Sequence, residues 1–128
     1  MKESNAKARI RIRIVFDDNR GMLGPGKAEL LALIRETGSI AASGRRLGMS
    51  YKRAWMLVET MNAMFEAPLV ASSRGGAGHG GAQLTPMGER VLDLYCSACA
   101  KAVAAAAEDM NALQELAKPN RIDMSGGK

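Results

Sequence analysis

The sequence predicts a mainly α-helical fold with a small β-sheet (α+β), and three observations carry the prediction. Apolar residues recur at helical spacing in several segments between residues 25 and 117. A stretch near the N-terminus alternates with period two, and a glycine-rich segment separates two short strand-like runs. Periods of 3.6 and 2 are what one-sided burial imposes on a helix and on a strand. At 128 residues the chain is expected to be one domain, long enough for a real core.

Residues 1–7 read as a disordered lead. Ala8-Arg-Ile-Arg-Ile-Arg-Ile-Val-Phe16 then alternates, with Ala8, Ile10, Ile12, Ile14 and Phe16 on one face and Arg9, Arg11 and Arg13 on the other. This is the clearest strand signal in the chain. The arginine face reads first as the charged outer side of an edge strand, which discourages edge-to-edge pairing, and second as an approach to phosphate. Asp17 to Gly24 reads as a loop. Pro25 suits a first helical position, where its missing N–H costs nothing. Leu30, Leu31, Leu33 and Ile34 supply that helix with an apolar stripe, and Gly38 closes it with a left-handed residue.

Residues 39–58 are the most informative. They read as a short helix capped by Ser39, a tight turn at Gly48-Met49, and a second helix capped by Ser50 and running to about Phe65. The second helix keeps Ala54, Leu57, Val58, Met61 and Phe65 on one face and turns Lys52, Trp55, Met56 and Glu59 away from it. An apolar back with a basic and aromatic front is what a helix needs to pack on its own domain while entering a major groove. The stretch therefore reads as a DNA-binding helix-turn-helix.

Leu69 to Ser73 and Ala82 to Leu84 read as the strands of a hairpin around a flexible glycine-rich tip, Gly75 to Gly81. A hairpin directly after a helix-turn-helix is the wing of a winged-helix domain, and Arg74 and His79 at its tip are placed for the DNA backbone or minor groove. The glycines do not form a phosphate cradle, because no G-x-x-x-x-G-K-[ST] is present and no helix starts straight after them. His79 alone has no partner with which to hold a metal. Thr85-Pro86 opens the last helix, read as unbroken from Met87 to about Ala117. Within it Leu92, Cys96, Cys99, Val103, Ala106, Met110, Leu113 and Ala117 recur at alternating spacings of four and three, a heptad seam. Leu92 through Leu113 are expected at a homodimer interface, with packing on the same chain as the alternative. Cys96 and Cys99 sit mid-helix on this seam and read as buried free thiols rather than a redox pair. Residues 118–128 read as a disordered tail.

The charge of +5 fits a polyanionic partner without requiring one. There is no run long and apolar enough for a membrane helix, and the N-terminus does not read as a secretory signal. Two cysteines are too few to staple a secreted fold, so a cytoplasmic location is expected. No nucleophile with a histidine partner, no paired carboxylates and no metal cluster can be assembled, so neither an enzyme nor a cofactor is expected.

Gly38-Ser-Ile-Ala-Ala, Gly48-Met-Ser-Tyr-Lys-Arg-Ala-Trp55, Met61-Asn62, the glycine-rich Gly75 to Ala82, Leu84-Thr-Pro-Met-Gly-Glu-Arg90, Leu92 and Leu94-Tyr95 occur in register. Together they resemble the N-terminal domain of ModE-type molybdate-dependent transcriptional regulators over roughly residues 8–117. The resemblance implies a winged helix (here residues 8–85) whose long last helix (86–117) helps to form a dimer. It places Ser50, Tyr51, Lys52, Arg53 and Trp55 where that family inserts its recognition helix. Ser50 and Tyr51 are then expected at phosphate or base contacts, Lys52 and Arg53 as base readers or backbone clamps, and Arg45 and Arg46 on phosphate. Trp55 is either a packing residue or a DNA contact. Full-length members carry C-terminal oxyanion-binding domains, which this sequence stops short of, so molybdate is not expected to bind the chain. The expected function is a homodimeric regulator binding double-stranded DNA at a palindromic operator. The alternative is a protein-interaction module on the same fold with weak non-specific DNA binding.

Overall fold

The computed structural model describes residues 7–17, 21–74 and 80–118. In chain order they form β1 (Ile14–Phe16), β2 (Gly21–Leu23), α1 (Pro25–Thr37), α2 (Ile40–Arg46), α3 (Tyr51–Met64), β3 (Val70–Arg74), β4 (Gly80–Leu84), α4 (Pro86–Ala105) and α5 (Ala107–Leu116). Two compact units divide the chain, Arg11–Ala98 and a second made of the described parts of Met1–Ile10 and Cys99–Lys128.

The Arg11–Ala98 unit is built on three helices. α1 begins at Pro25, buries Ala28, Leu30, Leu31 and Ile34, and ends where Gly38 (φ 70°) donates its N–H to the Ile34 carbonyl. α2 and α3 cross closely, because a Cβ on Gly44 would lie 3.0 Å from the Ala54 Cβ, so glycine facing alanine sets their separation. Ser43 is fully buried, and its hydroxyl donates to the Ser39 carbonyl (2.7 Å) beside Thr37 Oγ1 at 3.0 Å. That removes the penalty for burying it. Lys27 donates to the Met22 carbonyl at 2.8 Å, and partial burial holds its pKa below the ordinary lysine value.

β3 and β4 form an antiparallel hairpin with Val70 opposite Leu84 and Arg74 opposite Gly80. Each edge is tied to a helix. The Ala82 N–H donates to the Gly38 carbonyl at 3.0 Å. On the other side Asn62 of α3 grips the entry to β3: its Oδ1 accepts from Leu69 N–H (2.8 Å) and Val70 N–H (3.0 Å), and its Nδ2 donates to the Val70 carbonyl (3.2 Å). Thr85 starts α4 as read from the sequence. Its Oγ1 accepts from Gly88 N–H (3.0 Å) and donates to the Pro68 carbonyl (2.6 Å), while its N–H donates to the Leu69 carbonyl (2.9 Å). A Cβ on Gly88 would run into that same Leu69 carbonyl oxygen, so only glycine lets α4 start this close to the strand.

The expected strand over residues 8–16 is shorter than read: only Ile14–Phe16 pairs, against Gly21–Leu23, which the sequence analysis assigned to a loop. The partner is three residues long because Gly24-Pro25 begins α1, and three residues are too few to show a period-two pattern. The alternation itself holds, with Ile10, Ile12, Ile14 and Phe16 half-buried and Arg9, Arg11 and Arg13 exposed. Phe16 meets Phe65 edge-to-face, 5.7 Å between ring centroids, and the buried Tyr95 donates its hydroxyl to the Ile12 carbonyl at 2.6 Å. The hairpin strand that follows the glycines starts earlier than read, at Gly80. The expectations for residues 1–6, for most of the glycine tip (75–79) and for 119–128 lie outside the described residues.

The last helix also departs from its reading. Ala106 (φ −97°, ψ 7°) separates α4 from α5, although Ala106 N–H still donates to the Ala102 carbonyl and Met110 N–H to the Ala106 carbonyl. Glu108 and Asp109 fill the first turn of α5, where the helix dipole favours negative charge. The all-alanine run before them hides the interruption from a periodicity count. Leu92, expected on the seam, is 2% exposed and belongs to the core of its own unit. Its helical phase puts it on the inward face with Val91 and Tyr95, so it is not available to a partner. Cys96, expected buried, is exposed in the single chain, and Cys99 is half-buried; both are free thiols. In the second unit Ala8 N–H donates to Gln114 Oε1 at 2.8 Å. Ala8, Arg9 and Ile10 flank, with Val103, Ala107, Met110 and Asn111, a groove of about 400 Å³.

Asn62→Ala would leave the Leu69 and Val70 N–H groups without their acceptor, a loss of about 2–3 kcal/mol. Chemical denaturation of wild type and variant measures it, and an unchanged midpoint would mean that the clamp contributes nothing to stability.

Candidate nucleic-acid interface

The turn between α2 and α3 is held by two serine caps and a left-handed glycine. Ser39 Oγ accepts from Ala42 N–H at 2.9 Å, and Ser50 Oγ accepts from Arg53 N–H at 3.1 Å, so both serines cap as read. Between them Gly48 takes φ 73°, a left-handed conformation that glycine reaches without strain. The Met49 N–H returns to the Gly44 carbonyl at 2.9 Å.

α3 divides cleanly by burial. Ala54, Val58, Met61 and Met64 are buried, while Ser50, Tyr51, Lys52, Arg53, Met56, Glu59, Thr60 and Ala63 are exposed. Tyr51 is 59% exposed despite its ring. No acidic residue stands in the first turn of α3, so the partial positive charge of the helix N-terminus adds to Lys52 and Arg53 instead of being cancelled. A phosphate or an electron-rich base edge is the natural occupant of such a site. Arg45 and Arg46 end α2 on the exposed side.

The structure thus brings Arg45, Arg46, Ser50, Tyr51, Lys52 and Arg53 to one short stretch spanning the end of α2 and the start of α3. Arg46 is also 3.6 Å from Glu36, an exposed pair of little worth that a phosphate can displace. Ser50 spends an acceptor lone pair on its cap and keeps its hydroxyl hydrogen for a ligand. Trp55 is half-buried on the flank of α3, between the packed and exposed faces. Arg74 ends β3, and His79 lies outside the described residues. Two further residues of α3, not singled out from the sequence as site residues, follow this stretch. Asn62 ties α3 to the hairpin, and its signal in sequence was the Met61-Asn62 pair of the family resemblance. Met56 is 57% exposed, and the burial of its neighbours on the opposite face makes it conspicuous.

Residues 27–89 match the bacterial regulatory helix-turn-helix protein, lysR family. The chain is 43% identical over 82 residues to the molybdenum-pterin-binding protein MopB of Rhodobacter capsulatus, covering 64% of this chain and 30% of that protein. It is 45% identical over 71 residues to the transcriptional regulator ModE of Yersinia pestis, and 42% identical over 71 residues to the DNA-binding transcriptional dual regulator ModE of Escherichia coli K12. Each of these two matches covers 56% of this chain and 27% of the relative. The chain thus matches less than a third of the length of these relatives. No helix among the described residues is long and apolar enough to cross a membrane. With the α2–turn–α3 geometry, these matches identify residues 27–89 as a bacterial regulatory helix-turn-helix domain of the lysR type, similar to the corresponding part of the ModE proteins.

Proposed function

We propose that the chain is a sequence-specific, DNA-binding transcriptional regulator that works as a homodimer on a palindromic operator, with α3 as its reading helix. The observation that carries this reading is the exposed cationic start of α3, where Tyr51, Lys52 and Arg53 surround a helix N-terminus with no acidic residue in its first turn. Lys52 and Arg53 pair with guanine edges or phosphate, while Ser50, Tyr51, Arg45 and Arg46 hold the backbone and fix the register. The hairpin carrying Arg74 and His79 lies along the flanking backbone or minor groove. Two of the matched relatives are named as transcriptional regulators, which supports the same role here.

Support for the dimer comes from the seam and from exposure. Cys99, Val103, Ala106, Met110 and Leu113 keep the four-three spacing, and Val103 and Leu113 are 50% and 60% exposed in the single chain. Large apolar side chains repeated at that spacing gain by burial against a second copy. Cys96 keeps the same spacing and is exposed, whereas Leu92, 2% exposed within its own unit, drops out of the seam. A two-fold dimer would set its reading helices in major grooves about one helical turn apart.

Selection of bound duplexes from a random pool at physiological salt tests the reading, run with and without molybdate because the chain matches only part of its relatives. A palindrome enriched equally in both arms is expected. Lys52→Ala or Arg53→Ala should weaken binding to it by roughly 5- to 100-fold, the worth of one specific pair, without loss of helicity. No enrichment by the folded protein would overturn the reading in favour of a protein-interaction module. Val103→Asp should turn the dimer into a monomer in sedimentation and abolish binding to the palindrome. A dimer that persists would contradict the seam.

A further inference from the structure

We propose that Met56 reads the 5-methyl group of a thymine in the major groove, giving the operator a preferred T·A pair beside the bases contacted by Lys52 and Arg53. The proposal rests on the DNA-binding reading above and names the preference at one further position of the operator. Lys52, Met56, Glu59 and Ala63, spaced four, three and four residues apart, share a narrow stripe of α3 opposite the buried Ala54, Val58 and Met61. All four are exposed. A methionine at 57% exposure therefore stands in the middle of the face that enters the groove, one turn beyond Lys52.

The neighbouring chemistry favours an apolar contact there. Thr60, one turn further on, donates its hydroxyl to the Met56 carbonyl at 3.0 Å, so its hydrogen is spent on the helix and not on a base edge. Met56 offers no hydrogen-bond donor. Of the groups the major groove presents, the thymine methyl is the one whose recognition needs only apolar surface. An unbranched, polarisable thioether adapts to such a contact without demanding one rotamer.

The test uses the full chain and the duplex selected above, with each thymine replaced in turn by deoxyuridine, which removes the methyl and keeps the base pair. At one position per half-site, wild type should lose about fourfold in affinity, the worth of one buried methyl. Met56→Ala and Met56→Gln should show no such difference between thymine and uracil at that position. The glutamine variant keeps the side-chain length, and circular dichroism of both variants reports that α3 is intact. Wild type indifferent to uracil at every position would overturn the proposal, as would an equal loss in wild type and both variants. A selection that enriches nothing removes the DNA reading itself and this role with it, an outcome distinct from an enriched duplex whose methyl groups do not matter.

Discussion

The side chain of Asn62 is the interaction on which the geometry of the domain depends. It supplies, from the last turns of α3, the acceptor and donor that a neighbouring strand would give to Leu69 and Val70. A chain leaving a helix and turning into a hairpin has backbone groups with no regular partner, and burying them unpaired costs more than most contacts return. Leu69 then passes the constraint on, because its carbonyl accepts from Thr85 N–H and abuts Gly88. One amide thus joins α3, the hairpin and the start of α4. The Ala82 N–H donates to the Gly38 carbonyl, so the hairpin is tied to the end of α1 as well as to α3.

That rigidity gives meaning to the division of labour on α3. Its buried residues pack on α1 and α2, and the close approach at Gly44 and Ala54 leaves no slack for the helix to roll. The exposed stripe therefore faces outward in one fixed orientation. Charge is concentrated at its N-terminal end with Lys52 and Arg53, and the apolar Met56 follows one turn later. In the proposed DNA-binding role, binding energy and discrimination come from different parts of this surface: cations near phosphates would hold the duplex, and groups on the stripe would choose among sequences.

Much of this was legible in the sequence because local rules and tertiary demands agree there. Ser39, Ser50 and Thr85 cap where a hydroxyl before an apolar run implies, and Gly38 and Gly48 take the left-handed conformations that their places at helix ends require. The alternation of isoleucine and arginine in residues 9–13 also survives as alternating exposure, although no strand forms there. What was not legible depends on partners far away in sequence. Strand pairing near the N-terminus is limited by where α1 begins, a fact about Gly24-Pro25 and not about the isoleucines. Leu92 fits a heptad seam and a core stripe equally well in sequence, and only the packing of α4 on its own unit decides for the core. Asn62 entered the sequence reading only within the Met61-Asn62 pair of the family resemblance; nothing local marked its role, which lies in backbone groups seven and eight residues away.

The most direct test of the account is an NMR titration of the full chain with a short duplex at low salt, following the backbone amides. The cationic start of α3 as the DNA-binding surface predicts the largest shifts between Arg45 and Met56, with smaller ones along the β3–β4 hairpin and little change in α5. Shifts concentrated on α5 with the Arg45–Met56 amides unmoved would contradict it.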